Sequence, residues 1–361
     1  MKKIITILGA RPQFVKAAVL SRVIKKNNEL EEVIVHTGQH FDSNMSDVFF
    51  KEMMIPNPKY NLDINSMSHG AMTGKMLADV ESVLQEEQPN AVVVYGDTNS
   101  TIAGALAAKK MGIKVVHVEA GLRSFNMSMP EEINRILTDR ISDLLSCPTQ
   151  TAVDNLANEG YANLPIMIEK HGDIMKDAVE YYSQFSSDRS SIIEELNLQK
   201  GEFVLATIHR QENTDDIDKL RAIFKAFEEV HQKHQVVLPL HPRTKAVLEK
   251  HQISPKITFI DPVGYYSMLE LLKNCSMVIT DSGGLQKEAF FNKKHCIIVR
   301  EETEWLELVN HGFAKIVGSN SELIKAAFEE FTASDKDFSI ELYGNHVGEK
   351  IYQSIKTLIE A

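Results

Sequence analysis

Short apolar runs rich in β-branched residues alternate along this chain with longer segments of helical periodicity. In the first half these runs are KKIITILG, EEVIVHTG, NAVVVYGD, IKVVHVEAG, DLLSCPT and LPIMIEK. After about residue 172 the pattern restarts with EFVLATIH, HQVVLPLH, KITFIDPVG, CSMVITDSGG, KHCIIVRE and FAKIVGS. Strands that alternate with helices are typical of βαβ units and parallel sheets. The pattern therefore predicts an α/β fold with two similar halves of about six strands each.

The length of the chain agrees with this division. At 361 residues it exceeds one ordinary core, and typical domain sizes predict two domains of roughly 170 residues each. The last segment, GNHVGEKIYQSIKTLIEA, places apolar Ile351, Ile355, Leu358 and Ile359 on one helical face. We predict that it forms an amphipathic helix whose role is packing.

Composition and charge exclude several classes of protein for this chain. The chain has 43% hydrophobic and 25% charged residues, and 39 Lys plus Arg against 50 Asp plus Glu give a net charge of −11. This is the composition of a soluble globular protein, and its charge would repel nucleic acid and anionic membranes. The N-terminal apolar run, stopped by Gly9 and Arg11, is too short for a secretory signal, and no run approaches the ~20 residues of a membrane span.

The three cysteines, Cys147, Cys275 and Cys296, are far apart, odd in number and located in or beside strand-like runs. Such cysteines are more often buried small hydrophobes than nucleophiles or metal ligands. The sequence therefore predicts reduced thiols and a cytoplasmic protein.

Polar and charged residues collect where the predicted strands end, in both halves. These strand ends are Gly9 to Lys16, Gly96 to Asn99, His117 to Arg123, His209 to Asn213, His241 to Arg243 and Asp281 to Glu288. Because parallel sheets bind ligands outside the carboxyl ends of their strands, we expect a site there, in a cleft between the domains. The chain contains neither GxGxxG nor GxxxxGK, and no HExxH spacing for a metal, so these common nucleotide and zinc motifs are absent.

One strand end, TDSGGLQKEA, suits an anion. Ser282, Gly283 and Gly284 place backbone N–H groups at a predicted helix start, where a phosphate binds well. A simple helix cap with a tight turn explains the same residues equally well. Glu288 lies early in that helix and would accept hydrogen bonds from hydroxyl groups such as those of a ribose, unless it is only an exposed helix residue.

Two other strand ends carry basic residues. GARPQFVK opens a predicted helix with Pro12, and Arg11 and Lys16 would supply positive charge on an acidic protein. In IHRQEN, His209 would protonate a leaving phosphate group. Each of these residues, taken singly, is also common as an isolated surface group.

His241, in HPR at the end of the next predicted strand, would add to the same anion-binding pocket.

Carboxylates dominate the remaining strand ends. Asp97, in GDTNST, and Glu119, in HVEAGLR, end successive predicted strands and would therefore be neighbours, an arrangement that suits general acid or base catalysis. Asp97 is also a good helix cap. Glu131 begins the helix PEEINR, whereas the adjacent Glu132 is expected to face solvent, as most charged residues do.

In this order, GARPQFVK, GDTNST, HVEAGLR, PEEINR, IHRQEN and TDSGGLQKEA resemble the non-hydrolysing UDP-N-acetylglucosamine 2-epimerase family, over nearly the whole chain. The resemblance implies two Rossmann-like domains that face across a GT-B-like cleft, residues 1–172 with a returning helix at 346–361, and residues 173–345. It also implies a UDP-sugar substrate, no cofactor, and a homodimer. The implied reaction inverts C2 by anti elimination of UDP and its re-addition to a glycal intermediate.

Carried over residue by residue, the resemblance implies catalytic roles for Asp97, Glu119 and Glu131, and places His209 near the diphosphate. Which carboxylate removes the C2 proton stays open. Arg135 would organise the carboxylates. The resemblance further implies substrate or UDP contacts from Arg11, Lys16, Ser282, Gly283, Gly284 and Glu288.

Departures from the family pattern bear on the substrate. Members that act on the simple N-acetylhexosamine usually read GTRPEAIK, HRREN and TERPE, whereas this chain reads GARPQFVK, HRQEN and TEWLE. Trp305 thus stands where an arginine of the UDP pocket is expected. QHFDSNM, residues 39–45, lacks the second glutamine of a segment associated with an allosteric substrate site, so we predict no such regulation.

These variants look more like the branch that epimerises UDP-2,3-diacetamido-2,3-dideoxy-glucuronate to the manno form, for surface polysaccharides, which we prefer as the substrate. The loop SFNMSM, between Glu119 and Glu131, would border the sugar. Alternatives are a UDP-N-acetylglucosamine 2-epimerase, a hydrolysing epimerase, and a GT-B glycosyltransferase, which would need fewer carboxylates. A non-catalytic sugar-binding protein would normally carry an export signal.

Overall fold

Residues 1–39 and 55–361 are described by the structure, a computed structural model. They form two units, Met1–Ala178 together with Glu341–Ala361, and Val179–Ile340. The chain thus passes from the first unit to the second after Ala178 and returns after Ile340, where the sequence analysis placed these changes after residues 172 and 345.

The first unit is built on a sheet of seven parallel strands, in the order β3-β2-β1-β4-β5-β6-β7. The strands are β1 (Lys2–Leu8), β2 (Leu30–His36), β3 (Tyr60–Asn61), β4 (Ala91–Tyr95), β5 (Lys114–Val118), β6 (Leu144–Cys147) and β7 (Met167–Lys170). Strand β4, AVVVY, is buried at every residue, because helices cover both faces of such a sheet and leave no polar face. The six runs predicted as strands are confirmed. The two-residue β3 was missed, since it has no apolar run.

The second unit has a sheet of six parallel strands in the order β10-β9-β8-β11-β12-β13. They are β8 (Phe203–Thr207), β9 (Gln235–Pro239), β10 (Thr258–Ile260), β11 (Met277–Thr280), β12 (Cys296–Ile298) and β13 (Ala314–Ile316). Both sheets therefore have the strand order of a Rossmann fold, which reverses direction next to the first strand and leaves a binding site at the carboxyl ends there. The predicted α/β class with two parallel-sheet domains is confirmed.

Helices connect the strands in both units. They are α1 (Arg11–Asn27), α2 (His69–Glu87), α3 (Asn99–Lys110), α4 (Pro130–Ile141), α5 (Gln150–Asn158), α6 (Ile174–Tyr182), α7 (Ser186–Arg189), α8 (Ile192–Glu195), α9 (Gln211–Thr214), α10 (Ile217–His231), α11 (Pro242–Lys250), α12 (Tyr265–Asn274), α13 (Gly283–Phe291), α14 (Leu306–Asn310), α15 (Ser321–Thr332) and α16 (Val347–Glu360). No helix in the described ranges is both long and apolar enough to cross a membrane.

Helix α16 belongs to the first unit although it follows the whole second unit in sequence. Its residues Ile351 and Ile355 are fully buried, which confirms the predicted amphipathic packing helix. A Cβ atom added at Gly348 would lie 2.8 Å from Cγ1 of Val19 on α1. The close approach of α16 to α1 therefore requires glycine at this position.

The cysteines confirm the prediction of buried thiols. Cys147, Cys275 and Cys296 are free, and each is at most 1% exposed. Burial raises the pKa of Cys275 to about 12 and raises the pKa of the other two thiols well above their usual range. All three are therefore protonated and unreactive in the folded protein.

Candidate active site

An open cavity of about 200 Å³ lies at the carboxyl edge of the first sheet. The turns after β1, β4 and β5 reach it together because parallel strands end at the same edge. Its lining residues are Ala10, Pro12, Gln13, Lys16, Gln39, His69, Tyr95, Gly96, Asp97, Thr98, Asn99, Glu119, Pro130, Glu131 and Asn134. The structure thus brings together the three carboxylates and the lysine that the sequence analysis singled out in this half.

Glu119 is held by its backbone and by an ion pair. It follows β5 directly with a φ of +72°, an unusual conformation for a residue with a side chain, and its N–H donates to the carbonyl of Ser146 at 3.1 Å. Lys16, on α1, is only 6% exposed, and its Nζ donates to the Glu119 carboxylate. The charge of Glu119 is therefore compensated inside the cavity wall, and its position is set from two elements.

Asp97 is held by an arginine. Nη2 of Arg135, on α4, donates to Oδ2 of Asp97. The cap of α3 is Thr98, whose Oγ1 accepts from the N–H of Thr101 at 3.2 Å. Asp97 is therefore not needed as a helix cap, and its carboxylate, about a third exposed, faces the cavity.

Glu132 does not face solvent, so that prediction is wrong. Its side chain is buried, and its carboxylate accepts from the N–H groups of Ser124 and Phe125 at 3.0 and 2.9 Å, and from Nη1 of Arg135 at 2.8 Å. Three donors replace the water that this carboxylate would otherwise bind. The buried Glu132 thereby fixes the start of the SFNMSM loop and, through Arg135, the side chain of Asp97.

Glu131 is the least restrained of the cavity carboxylates. It stands in the first turn of α4, directly after Pro130, where a helix N-terminus favours negative charge. Its side chain is exposed and lines the cavity. Of the three predicted catalytic carboxylates, it is the one free to move toward a bound molecule.

Gln13 is a site residue that the sequence analysis missed. It is 2% exposed. Its Oε1 accepts from the N–H groups of Gly9 and Ala10 at 2.8 and 2.9 Å, and its Nε2 donates to the carbonyl of Tyr95 at 2.7 Å. A glutamate could not donate to that carbonyl, so the departure from GTRPEAIK to GARPQFVK was the available signal.

Two predictions for this half lie outside the described part of the chain. The side chain of Arg11, the first residue of α1, is one of them. The other is residues 40–45 of QHFDSNM, which carry the prediction about allosteric regulation. Among the residues that are described, no group of three or more His, Cys, Asp or Glu side chains is arranged to hold a metal.

In the second unit, the predicted residues gather around a buried aspartate after β11. Asp281 is fully buried and accepts from the N–H groups of His209 and Arg210 at 3.0 and 2.9 Å and from Nδ2 of Asn213 at 3.2 Å. Nδ1 of His209 lies 3.2 Å from its other oxygen. Burial acts to raise the pKa of Asp281, but the hydrogen bonds from His209 and Arg210 outweigh it and hold that pKa below its ordinary value. Asp281 thus orients His209, whose side chain remains 41% exposed.

The N-terminus of α13 is open beside this aspartate. Ser282 occupies the cap position, but its side chain makes no capping hydrogen bond. A Cβ atom built at Gly283 would stand 3.6 to 3.8 Å from the side chains of Glu304, Arg210 and Trp305, whereas one at Gly284 would meet nothing within 4 Å. The N–H groups at the start of α13 and the guanidinium of Arg210 therefore border the same space, which suits an anion. The Glu304 carboxylate also borders it, and its charge is compensated by Arg300 at 3.0 and 3.2 Å.

Trp305 lies beside the start of α13, where its indole Nε1 would stand 3.8 Å from a Cβ atom at Gly283. Trp305 is 4% exposed, and Nζ of Lys287, itself 2% exposed, lies 3.9 Å from the centre of the indole ring. A cation therefore remains beside the position where an arginine was expected, in contact with an aromatic face that attracts it. Glu288 follows on α13 and is partly exposed.

His241 lies close to His209 but differs in its chemistry. Their ring centres are 6.1 Å apart, and Nδ1 of His241 accepts from the N–H of Arg243 at 3.2 Å. Burial, with the neighbouring His209 and Arg243, lowers the pKa of His241. At neutral pH it is therefore an uncharged hydrogen-bonding group and does not add a positive charge.

The fold and the two strand-end sites define an α/β enzyme of two Rossmann-like domains. Residues 22–356 match the model of the UDP-N-acetylglucosamine 2-epimerase family, and the chain belongs to this family, as predicted. It is therefore an isomerase of the UDP-sugar 2-epimerase type.

Individual relatives agree with this assignment. The chain is 52% identical over 323 residues to the UDP-2,3-diacetamido-2,3-dideoxy-D-glucuronate 2-epimerase of Pseudomonas aeruginosa, which covers 89% of this chain and 90% of the relative. A crystal structure of the Methanocaldococcus jannaschii UDP-GlcNAc 2-epimerase in complex with UDP-GlcNAc and UDP superposes with a TM-score of 0.89 at 40% identity, over 99% of this chain and 100% of that one. The S. aureus MnaA–UDP co-structure gives a TM-score of 0.88 at 32% identity, over 100% and 97% of the two chains.

Proposed function

We propose that this enzyme converts UDP-2,3-diacetamido-2,3-dideoxy-glucuronate to its manno epimer, by eliminating UDP and adding it back. The observation that carries the chemistry is the meeting of Asp97, Glu119 and Glu131 in one cavity. The choice of substrate is supported by the 52% identity to the P. aeruginosa relative of that name.

The reaction needs acid and base groups on both faces of the sugar. The C2 hydrogen has no adjacent carbonyl to make it acidic, so the C1–O bond to UDP breaks as a carboxylate takes the C2 proton, and the electron pair of the C–H bond becomes the C1–C2 double bond. A proton delivered to the other face of C2, with return of the UDP oxygen to C1, completes the inversion. Two faces require two proton-transfer groups, and the third carboxylate stabilises the positive charge that develops near C1.

The ion pairs in the cavity suit this scheme. Lys16 compensates the negative charge of Glu119, and Arg135 compensates that of Asp97. Both carboxylates therefore hold their orientation before a sugar binds. Glu131 carries no such partner among the described residues and is exposed. C2 exchange by D97N, E119Q and E131Q tests whether each of the three takes part.

In the second unit, we assign the leaving diphosphate to the N-terminus of α13, Arg210 and His209. The helix N–H groups and the guanidinium stabilise negative charge, and His209, oriented by Asp281, donates a proton or hydrogen bond to the departing phosphate. Glu288 accepts from the ribose hydroxyls in this scheme. Arg11 remains a proposed partner of the diphosphate.

The test is NMR in deuterated water with each UDP-sugar offered separately. We expect deuterium at C2 with UDP retained, and exchange at least about tenfold faster with the diacetamido-glucuronate than with UDP-N-acetylglucosamine, since a site built for polar substituents disfavours a sugar that lacks them. Free UDP that accumulates in step with product would indicate a hydrolysing enzyme. Absence of C2 exchange with both sugars would refute the proposal.

The second candidate substrate is UDP-N-acetylglucosamine. It is favoured by the structural likeness to the M. jannaschii enzyme, which was solved with that sugar nucleotide. Faster exchange on UDP-N-acetylglucosamine in the same NMR experiment would select it.

We also propose that the enzyme works as a homodimer in the cytoplasm. Between residues 125 and 137, four large apolar residues are strongly exposed, Phe125, Met127, Ile133 and Leu137, and a patch of exposed apolar groups marks an association surface. Light scattering should give twice the mass of 40.6 kDa, and I133E with L137E should give the monomer. The buried, unpaired thiols agree with a reducing compartment.

A further inference from the structure

We propose that His117 and Asp139 form a positioning pair that fixes the two turns bearing Asp97 and Glu119. This inference rests on the proposed function, since it concerns the placement of the carboxylates. Neither residue lines the cavity, and both are completely buried. They would act through the turns and not by touching the sugar.

The contacts of His117 join three elements. It lies on β5, two residues before Glu119. Its Nε2 is 2.7 Å from the carbonyl oxygen of Gly96, in the turn that leads to Asp97, and its Nδ1 is 2.7 Å from Oδ1 of Asp139 on α4. One buried ring therefore connects the turn after β4 to the helix that carries Glu131.

These two contacts define where the protons are. A carbonyl oxygen only accepts, so a 2.7 Å contact requires a proton on Nε2 of His117. The contact between Nδ1 and Oδ1 of Asp139 requires one more proton between those atoms. The pair therefore holds two protons, and the ring cannot turn over without losing a hydrogen bond in a site that no water reaches.

The other oxygen of Asp139 secures the second turn. Oδ2 accepts from the N–H of Gly121 at 3.1 Å and from Nη1 of Arg123 at 2.7 Å. Both donors lie in the segment that follows Glu119, and Arg123 is held in addition by Glu159, at 2.7 and 2.8 Å. Asp139 is thus linked to both turns that present the catalytic carboxylates. Its Oδ1 reaches the turn before Asp97 through His117, and its Oδ2 binds the turn after Glu119 directly.

The arrangement follows from the helix period. Glu131, Arg135 and Asp139 are spaced four residues apart on α4 and share one face of it. Arg135 contacts the side chain of Asp97, while Asp139 fixes the backbone beside it through His117. A buried charged network of this kind contributes little net stability compared with apolar packing, whereas a catalytic carboxylate needs placement to within about 0.5 Å.

Two conservative variants separate the bonds of His117. The amide of H117Q reaches toward Gly96 and retains that donor, whereas the shorter H117N retains only the bond to Asp139. We expect kcat for C2 exchange to fall about 10²-fold in H117N, the effect of a misplacement near 1 Å, and clearly less in H117Q. KM should change less than about threefold in both, since neither bond touches substrate.

The matched control is His295, a buried histidine of the second unit. Its ring nitrogens contact the carbonyl of Phe313 and Oγ of Ser334, and neither partner lies in the cavity or in the turns after β4 and β5. H295Q and H295N should lower the melting temperature and leave kcat per folded molecule unchanged. If H117N retains kcat within about threefold of the wild type, or if both His117 variants lose activity only in proportion to lost folded protein, the positioning role is refuted.

A second measurement does not depend on activity. A two-bond ¹H–¹⁵N correlation spectrum of the histidine rings, with the His117 signals identified by their absence in H117Q, should show a proton on Nε2. An unprotonated Nε2 would overturn the inference even if the enzyme is active. If the wild type exchanges no C2 hydrogen, the proposed function fails, and this spectrum still tests the geometry of the pair.

Discussion

The two sheets have the same strand order, yet their carboxyl edges are built from different groups. In the first unit, carboxylate side chains line the cavity, and two of them, Asp97 and Glu119, are matched by Arg135 and Lys16. In the second unit, the buried carboxylate Asp281 is occupied by donors from the protein. Besides Glu288, which is assigned to the ribose, that edge offers hydrogen-bond donors to a ligand, namely the helix N-terminus, Arg210 and the exposed ring of His209.

The difference shows how one topology supports two tasks. Turns after parallel strands deliver whatever residues they carry to the same edge. Where the turns carry acids and compensating cations, the edge suits proton transfer. Where the acid is buried and serves only to arrange donors, the edge suits an anion. Variants can test whether these tasks are as separate as the contacts indicate.

The largest expected effect is on the carboxylates of the first unit. D97N, E119Q and E131Q keep the shape of each side chain but remove the acid or base. We expect C2 exchange to fall by about 10²–10⁴-fold wherever the residue transfers a proton. The control is D79N, at an exposed ion pair with Lys75 on α2, which should exchange normally. A near-normal rate in any of the three variants removes that residue from the mechanism.

The second prediction concerns Asp281 and pH. D281N removes a buried charge that accepts several hydrogen bonds, and we expect it to lower the free energy of unfolding by about 2–3 kcal/mol at neutral pH. Because the folded pKa of Asp281 lies below its ordinary value, its carboxylate stabilises the fold above the unfolded pKa of about 3.9, and this stabilisation is lost as the pH falls through the folded pKa. The difference between wild type and D281N in urea unfolding should therefore shrink below about pH 4.

D216N is the comparison for this measurement. Asp216 caps α10 with two hydrogen bonds at 3.1 Å but is exposed, and asparagine caps a helix about as well as aspartate. It should change stability by only a few tenths of a kcal/mol. An equal loss of unfolding free energy in D216N and D281N would show that the buried carboxylate of Asp281 stabilises the fold no more than an exposed helix cap does.

The third prediction separates backbone strain from site geometry. Gly96 has a φ of +62°, and an added Cβ would stand 3.3 Å from Oε2 of Glu119. We expect G96A to lose about 1–2 kcal/mol of stability and to lower kcat by about tenfold, because the new methyl group displaces Glu119. Gly112 has a φ of +73° with nothing within 4 Å, so G112A should show the stability loss alone. Equal activities of the two variants would argue against a tight fit at Gly96.

The smallest expected effect belongs to the donor edge of the second unit. G283A places a methyl group among Glu304, Arg210 and Trp305 without a clash, since these side chains stand at least 3.6 Å away. It should raise KM up to about tenfold with little change in kcat, the pattern of lost uniform binding. G284A, whose new methyl group enters open space, should raise KM less than about twofold. A reduced kcat in G283A would mean that this edge also takes part in the chemical step.

The fold was predictable because its signal is local. Each strand except β3 is a short apolar run, and each buried strand of a parallel sheet must be apolar on both faces. The sequence also placed Asp97 and Glu119 at strand ends and Glu131 at a helix start, and the structure puts all three in one cavity.

Pairing inside the site was less predictable, because a partner is defined by space and not by sequence. Glu132 was expected in solvent since an isolated glutamate usually is, and its donors at Ser124 and Phe125 exist only once the loop has folded. Gln13 gave a weak signal as a departure from the family pattern. The bond between His117 and Asp139 joins a strand to a helix, and neither periodicity nor motif spacing predicts it.

The chain path has a consequence for synthesis on the ribosome. Helix α16 packs into the first unit, so that unit remains unfinished while residues 179–340 are translated. Since chains emerge at about 5–20 residues per second, the face of α1 that α16 covers stays exposed to solvent for roughly ten seconds or more. By the end of that interval all strands of the second unit have been translated and can complete their sheet first, so the domain that begins the chain is the last to be closed.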